Sequence, residues 1–288
     1  EITAPTIILG TGGYSNVPNV PGLQEAGFLT SESLFGDKFP KQPYKSLAVL
    51  GAGPIGVEFA HVFDSAGTKV TILQHNVRLV PKEDADISEH LLNNYRERGI
   101  NVLLNQDTVE IRQEDGLKVV VTKDRTTGEI TETKVEEILV AAGIHPAVEE
   151  LHLENTGIET RPKGWIKTNE FLETSVDGIY ALGDVNGEPA FRHRANYEAD
   201  IIAHNLFYAT SEDDYRWARY DTLPKVTFSY PEVGSVGLTE AEAIKAGYNV
   251  GVGKNFYSST AKGYAMGINP GDVNDGFVKI VVDKDTNH

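Results

Sequence analysis

Apolar residues along this chain fall into short runs bounded by glycine, and between those runs they recur at three- and four-residue spacing. Ser46-Leu47-Ala48-Val49-Leu50 predicts a buried strand. It leads directly into Gly51-Ala52-Gly53-Pro54-Ile55-Gly56-Val57-Glu58. Ile55, Phe59, Ala60 and Phe63 then lie on one helical face, and residues 69–73 predict the next strand. A helix is expected from about 87 to 97, capped by Asp86 or Ser88 and ended by Gly99. Strands are expected at 100–104, around Val109-Glu110-Ile111, and at 117–121 and 129–134. Glu114-Asp115-Gly116 and Thr127-Gly128 supply hairpin turns, and a strand over 138–141 closes this α/β unit at Gly143.

Outside that unit the pattern repeats more sparsely. A strand at 6–9 runs into Gly10-Thr11-Gly12-Gly13, and one at 178–182 into Gly183-Asp184. A helix over about 191–208 carries Ala195, Ala199, Ile202 and Leu206 at helical spacing. Strands at 226–229 and 235–238 flank Pro231-Glu232-Val233-Gly234. Thr239-Glu240-Ala241-Glu242 then reads as a capping box opening a helix that Gly247 ends. The run 277–282 is strand-like, and a hairpin partner is expected after it. With a first residue Glu1 and a sole methionine at Met266, this suggests a fragment.

Composition narrows the function classes. The 288 residues, 40% hydrophobic and 24% charged, suit a soluble globular protein of two or more domains. A net charge of −16 argues against nucleic acid, and no apolar run approaches a membrane span. Cysteine is absent, so these residues offer neither disulfides nor thiolate metal sites. No secretory signal is present, and a cytoplasmic protein is expected. The histidines show no metal-ligand spacing, and no Gly-x-Ser-x-Gly elbow occurs.

The chemistry lies in the glycine turn. Gly51 permits the tight turn, Gly53 admits a pyrophosphate to the backbone, and Gly56 lets helix and strand approach. Pro54 suits the first helical turn, whose free N–H groups and dipole attract phosphate. The ribose-binding acid expected at the end of the second strand is replaced by Gln74, followed by His75 and, nearby, Arg78. Gln74 can bond a ribose hydroxyl without repelling a 2′-phosphate, and His75 or Arg78 could contact one. Both are equally readable as exposed loop residues, so NAD and NADP both stand on these residues. Asp184 can bond a cofactor hydroxyl or cap its turn.

Residues 51–58, Ala141-Ala142-Gly143, 174–184 and 228–240 occur in the order found in the flavoprotein disulfide reductases, and the whole chain resembles that class I pyridine nucleotide-disulfide oxidoreductase family. The segment 231–240 is the most specific part. Its members include dihydrolipoamide dehydrogenase, which it resembles most, and the mercuric and glutathione reductases. The resemblance implies an α/β fold with two Rossmann-like dinucleotide-binding domains, an FAD domain split by an inserted NAD(P) domain, and the start of an α+β interface domain. The implied boundaries are 1–43 (partial FAD domain), 44–160 (NAD(P) domain), 161–215 (FAD domain, continued) and 216–288 (partial dimerisation domain). It further implies that Thr11, Gly12, Gly183 and Asp184 serve the flavin and that Ala190, Phe191, Arg192 and His193 begin the helix beneath it. Gly51, Gly53, Pro54, Ile55, Gly56, Glu58, Gln74, His75, Val109 and Gly143 would serve the nicotinamide nucleotide. Glu58 would lie near the nicotinamide ring; alternatively it is an exposed carboxylate favoured by the helix dipole.

The implied activity is FAD-dependent electron transfer between NAD(P)H and a disulfide or dithiol, with NAD preferred over NADP as the commoner partner in that family. Dihydrolipoamide dehydrogenase leads, and a mercuric- or glutathione-type reductase or a flavin NAD(P)H oxidase is the alternative. Ile144-His145-Pro146 departs from the family's Arg-x-Pro, and Arg192 replaces a small residue. The first FAD glycine motif, the redox cysteine pair and the C-terminal His–Glu dyad have no counterpart here and would lie beyond the two ends. No catalytic residue is therefore assigned, the fragment alone is expected to be inactive, and the whole enzyme is expected to be a homodimer.

Overall fold

The computed structural model describes residues 3–36, 38–187 and 190–286. The chain divides into two compact units: the segment through Asn16 with Ile144–Lys225, and Val17–Gly143 with Val226–His288.

In the second unit four parallel strands lie in the order Asn101–Leu103, Lys69–Leu73, Ser46–Leu50, Glu137–Val140. Successive side chains of a strand point to opposite faces. Leu47 and Val49 accordingly pack with Val57, Ala60 and Phe63 of the helix Pro54–Ser65 and with Leu91 and Tyr95 of the helix Ala85–Glu97. Ala48 and Leu50 pack on the other side with Ile111, Val120 and Val135. These come from an antiparallel sheet of Gln106–Glu114, Leu117–Asp124 and Ile130–Val135. Burial on both faces is why the parallel strands read as continuous apolar runs.

Local signals place the turns. Asp115 (φ 51°) and Gly116 (φ 79°) form the two-residue turn pairing Glu114 with Leu117, both left-handed as a type I′ hairpin requires. After the helix Ala85–Glu97, Gly99 N–H bonds to Arg96 O and Ile100 N–H to Tyr95 O, the paired bonds of a glycine C-cap. Thr239 and Glu242 form the expected capping box on the helix Glu240–Lys245.

The N-cap of Ala85–Glu97 is a correction. It is Asp84, not Asp86 or Ser88, and Asp84 makes no side-chain cap bond. Its carboxylate instead accepts from Glu240 N–H at 3.0 Å and lies 3.4 Å from Lys279 Nζ. Among the described residues Phe277–Asp283 pairs with the upstream strand Val250–Phe256, whose glycines Gly251 and Gly253 masked the strand signal.

The first unit pairs Ile7–Leu9 in parallel with Ile179–Ala181 and Gly13–Ser15 antiparallel to Ile144–Pro146. Ile158, Ile166, Ala181 and Val185 form one core cluster, and Leu172 packs on Ile201 and Ile202 of the helix Arg192–Phe207.

This division differs from the boundaries read in the sequence. Residues 17–43 group with the parallel sheet because Leu23 enters its core and Leu29 bonds Ile138 O and Val140 N–H. Residues 144–160 group with the first unit through the Ile144–Pro146 ladder and Ile158. No helix among the described residues is long and apolar enough to cross a membrane.

Candidate functional site

Each glycine of the turn after Ser46–Leu50 has a separate physical reason. Gly51 has φ 107°, and a Cβ there would lie 2.4 Å from Ala141 O. A Cβ on Gly56 would lie 2.1 Å from Gly51 O, so helix and strand meet backbone to backbone. At Gly53 a Cβ would meet nothing within 4 Å. That open cradle, not packing, explains the middle glycine, and it fits a pyrophosphate. Gly53 makes no side-chain cap bond, and the first intrahelical bond runs from Val57 N–H to Gly53 O. With Pro54 at the first helical position, the Ile55 and Gly56 N–H groups open the helix without a side-chain cap and form the dipole's positive end.

Gln74 is buried, and both ends of its amide are engaged. Its Oε1 accepts from Ala52 N–H at 3.2 Å and its Nε2 donates to Arg78 O at 3.0 Å. The side chain thus pins the glycine turn to the next loop. His75 is exposed, with Nδ1 2.7 Å from Asp107 Oδ1, and Arg125 Nε lies 3.6 Å from the same carboxylate. Arg78 donates forward to Pro81 O at 3.4 Å. Val109 sits in a bulge of its strand, between Thr108 and Glu110, with its side chain partly exposed. Gly143 (φ 95°) follows the strand Glu137–Val140.

Glu58 is not a free carboxylate of the first turn. Its Oε1 accepts from Phe228 N–H at 2.8 Å, across 170 residues of sequence. Burial pushes its pKa up, against the lowering effect of that bond.

In the first unit Thr11 is exposed and Gly12 (φ 78°) again has open space where a Cβ would project. A Cβ on Gly13 would touch His145 O at 2.9 Å and stand 3.7 Å from Asp184 Cβ, so the Gly12 turn and the Asp184 turn are neighbours. Gly183 (φ 75°) starts a 3-10 turn over Gly183–Asn186. Burial raises the Asp184 pKa, opposed by Arg194. Ala190 precedes the helix, Phe191 is its N-cap and stacks on His193 at 5.1 Å, and Arg192 is exposed.

The helix's most deeply buried positions are Arg194, Glu198, Ile201 and Ile202, whereas Ala195, Ala199 and Leu206 of the expected apolar stripe are only half-buried. Glu198 is fully buried and accepts from Gly183 N–H at 2.6 Å, Asn186 Nδ2 at 3.4 Å and the Tyr220 hydroxyl. Arg194 pairs with Glu198 at 2.9 Å, donates to Gly187 O and Asn186 Oδ1, and lies over the Tyr220 ring at 4.9 Å. Burial, with the bond to Glu198, raises the Tyr220 phenol to about 12, so it stays a neutral donor. This network fixes the turn carrying Asp184. Its sequence trace was Arg and Glu four residues apart on one helix, a spacing more often found on exposed faces. Among the described residues, no group of three His, Cys, Asp or Glu is placed to hold a metal ion.

Comparison with known proteins gives these turns their context. The family model described as pyridine nucleotide-disulphide oxidoreductase matches residues 1–199, and that family's dimerisation domain matches 223–288. A mercuric reductase of Staphylococcus aureus is 36% identical over 87% of this chain and 44% of its own length. A dihydrolipoyl dehydrogenase of Chlorobaculum tepidum is 35% identical over 98% of this chain and 57% of its own. The solved Cu(II) complex of the HOCl-induced flavoprotein disulfide reductase RclA from Escherichia coli superposes with a TM-score of 0.83 at 29% identity. It covers 98% of this chain and 60% of that one. The chain thus spans about half the length of the curated relatives it matches. With both family models matched along its length and this fold shared, the chain belongs to the pyridine nucleotide-disulphide oxidoreductase family and has the mixed α/β flavoprotein disulfide reductase fold.

Proposed function

We propose that this chain carries the cofactor-binding turns of an FAD-dependent oxidoreductase that passes electrons between NAD(P)H and a disulfide or dithiol, with dihydrolipoamide as the leading substrate. The observation that carries the reading is the pair of open glycine cradles, Gly53 and Gly12, each beside a turn built to hold it. When bound, the nicotinamide nucleotide and FAD supply hydride and electron transfer. The chain's own residues bind and orient. Gly53 with the Ile55 and Gly56 N–H groups would take the pyrophosphate of the nicotinamide nucleotide. Gln74 holds that turn in shape, and Glu58, tied to Phe228, presents a half-buried carboxylate one helical turn on. Asp184 would hold a flavin hydroxyl, kept in place by Glu198 on Gly183 N–H. Asp107 beside His75 sets an acid where a 2′-phosphate would need a free cation, which favours NAD over NADP. The dimerisation-domain match supports a homodimer.

The test is the full-length protein purified with its flavin, mixed with NADH or NADPH, and offered lipoamide, glutathione disulfide or mercuric ion. NADH-driven lipoamide reduction is expected. Colourless protein would overturn the flavin reading. Turnover with oxygen and with none of the three acceptors would replace it by an oxidase. The mercuric reductase similarity supports mercuric ion as the alternative acceptor.

A further inference from the structure

The first unit contains a cleft of about 510 Å³ that none of the cofactor positions above accounts for. Asn16, His145, Arg161, Lys163, Trp165 and Gly187 line it. Its shape is made by a five-residue loop. Arg161 N–H donates to Trp165 O at 2.7 Å and Gly164 N–H to Arg161 O at 3.0 Å, closing the chain around Pro162 and Lys163. At the tip Lys163 adopts φ 72°, a left-handed conformation that a side-chain-bearing residue adopts only at a cost. The loop thereby sets Arg161 and Lys163, two residues apart, on the walls of one cleft.

Gly187 fits the same design. A Cβ there would lie 2.6 Å from Arg161 Nη2 and 3.7 Å from Trp165 Cγ, so its bareness is what lets the guanidinium lie across the backbone. Trp165 is almost wholly buried and forms an apolar wall. His145 stands 3.2 Å from the Asn16 amide oxygen and 3.6 Å from Glu149. In a chain of net charge −16, two cations share a concave site with an indole. A planar guanidinium fork and a mobile ammonium match phosphate oxygens, and an indole wall suits a flat ring. The volume is that of a small-molecule site.

We propose that this cleft binds a phosphate- or pyrophosphate-bearing nucleotide, with Arg161 and Lys163 on the phosphates and Trp165 against the apolar part. The probes are inorganic pyrophosphate and ADP, titrated calorimetrically into the full-length protein at low salt, with flavin bound and after its removal. Saturable binding to both forms is expected, ADP tighter than pyrophosphate. Arg161→Gln and Lys163→Gln should each weaken it roughly tenfold, and Arg161→Lys by less, because it keeps the charge and loses the fork. Both residues are exposed, so unchanged melting of the variants is expected. In a Trp217→Phe background, which leaves Trp165 as the one tryptophan of these 288 residues, ADP should also quench the fluorescence. No saturable binding, or binding unchanged by either Gln variant, would overturn the proposal. Binding to the flavin-free form alone would assign the cleft to the flavin and overturn it too. A colourless protein that still binds ADP through Arg161 would leave this site standing while the flavoenzyme reading fell.

Discussion

Removing the Glu198 carboxylate exposes how the Asp184 turn is held. Glu198→Ala takes away the acceptor of Gly183 N–H, of Asn186 and of Tyr220, and leaves the Arg194 guanidinium, with a side chain 3% exposed, without its carboxylate. Breaking a buried pair from one side costs about 3–5 kcal/mol, since the remaining charge stays desolvated. At roughly 2–4 °C of Tm per kcal/mol for a chain of this length, the loss is on the order of 10 °C. Glu198→Gln keeps an acceptor for Gly183 and loses only the charge, so about half that loss is expected. Removing both charges, Arg194→Met with Glu198→Leu, should recover about 2 kcal/mol relative to Glu198→Ala. The remaining deficit, about 1–3 kcal/mol, reflects the Gly183 N–H and Tyr220 hydroxyl left without an acceptor. Thermal melts monitored by circular dichroism, together with the flavin retained on purification, measure both effects. A Glu198→Ala protein melting within about 2 °C of the parent would refute the reasoning. So would a double variant no more stable than the single one.

The glycines of the proposed nucleotide turn should separate binding from folding. Gly53→Ala adds a methyl into open space at an allowed backbone conformation, so Tm should hold while NADH binding falls by roughly tenfold or more. Gly56→Ala drives a Cβ into Gly51 O and should cost about 1–3 kcal/mol in melts. Lys279, nearly buried, bridges Asp84, Asp86 and Glu240, and Lys254 also bonds Asp86. Burial alone would raise the Asp86 pKa, but the bonds from Lys254 and Lys279 outweigh it and hold the pKa below 3.8. That stabilisation is present above the unfolded value and is lost as pH falls through the lower folded one. Lys279→Met should lower Tm at pH 7 and flatten its fall in acid; an unchanged acid limb would count against the bridge. Asp107→Asn should raise the affinity for NADPH relative to NADH in paired titrations, because it removes the acid beside His75.

The parts of this protein legible in the sequence are those whose physics spans a few residues. Gly51, Gly53 and Gly56 announce a strand, an open turn and a close-packed helix because each needs a missing Cβ at a fixed offset. Asp115-Gly116 and the Thr239–Glu242 box likewise act within their own turns. The spacing of Arg194 and Glu198 was legible, but their burial was not, because burial of a charge depends on neighbours such as Tyr220, 22 residues on from Glu198. Tertiary structure also decided that Glu58 meets Phe228, that Lys279 gathers three acids, and that Arg161 lies across Gly187. Backbone conformation is a local property that glycine, proline and capping residues carry in themselves. The charge state, burial and partner of a side chain belong to the assembled fold, and those determine what each turn can bind.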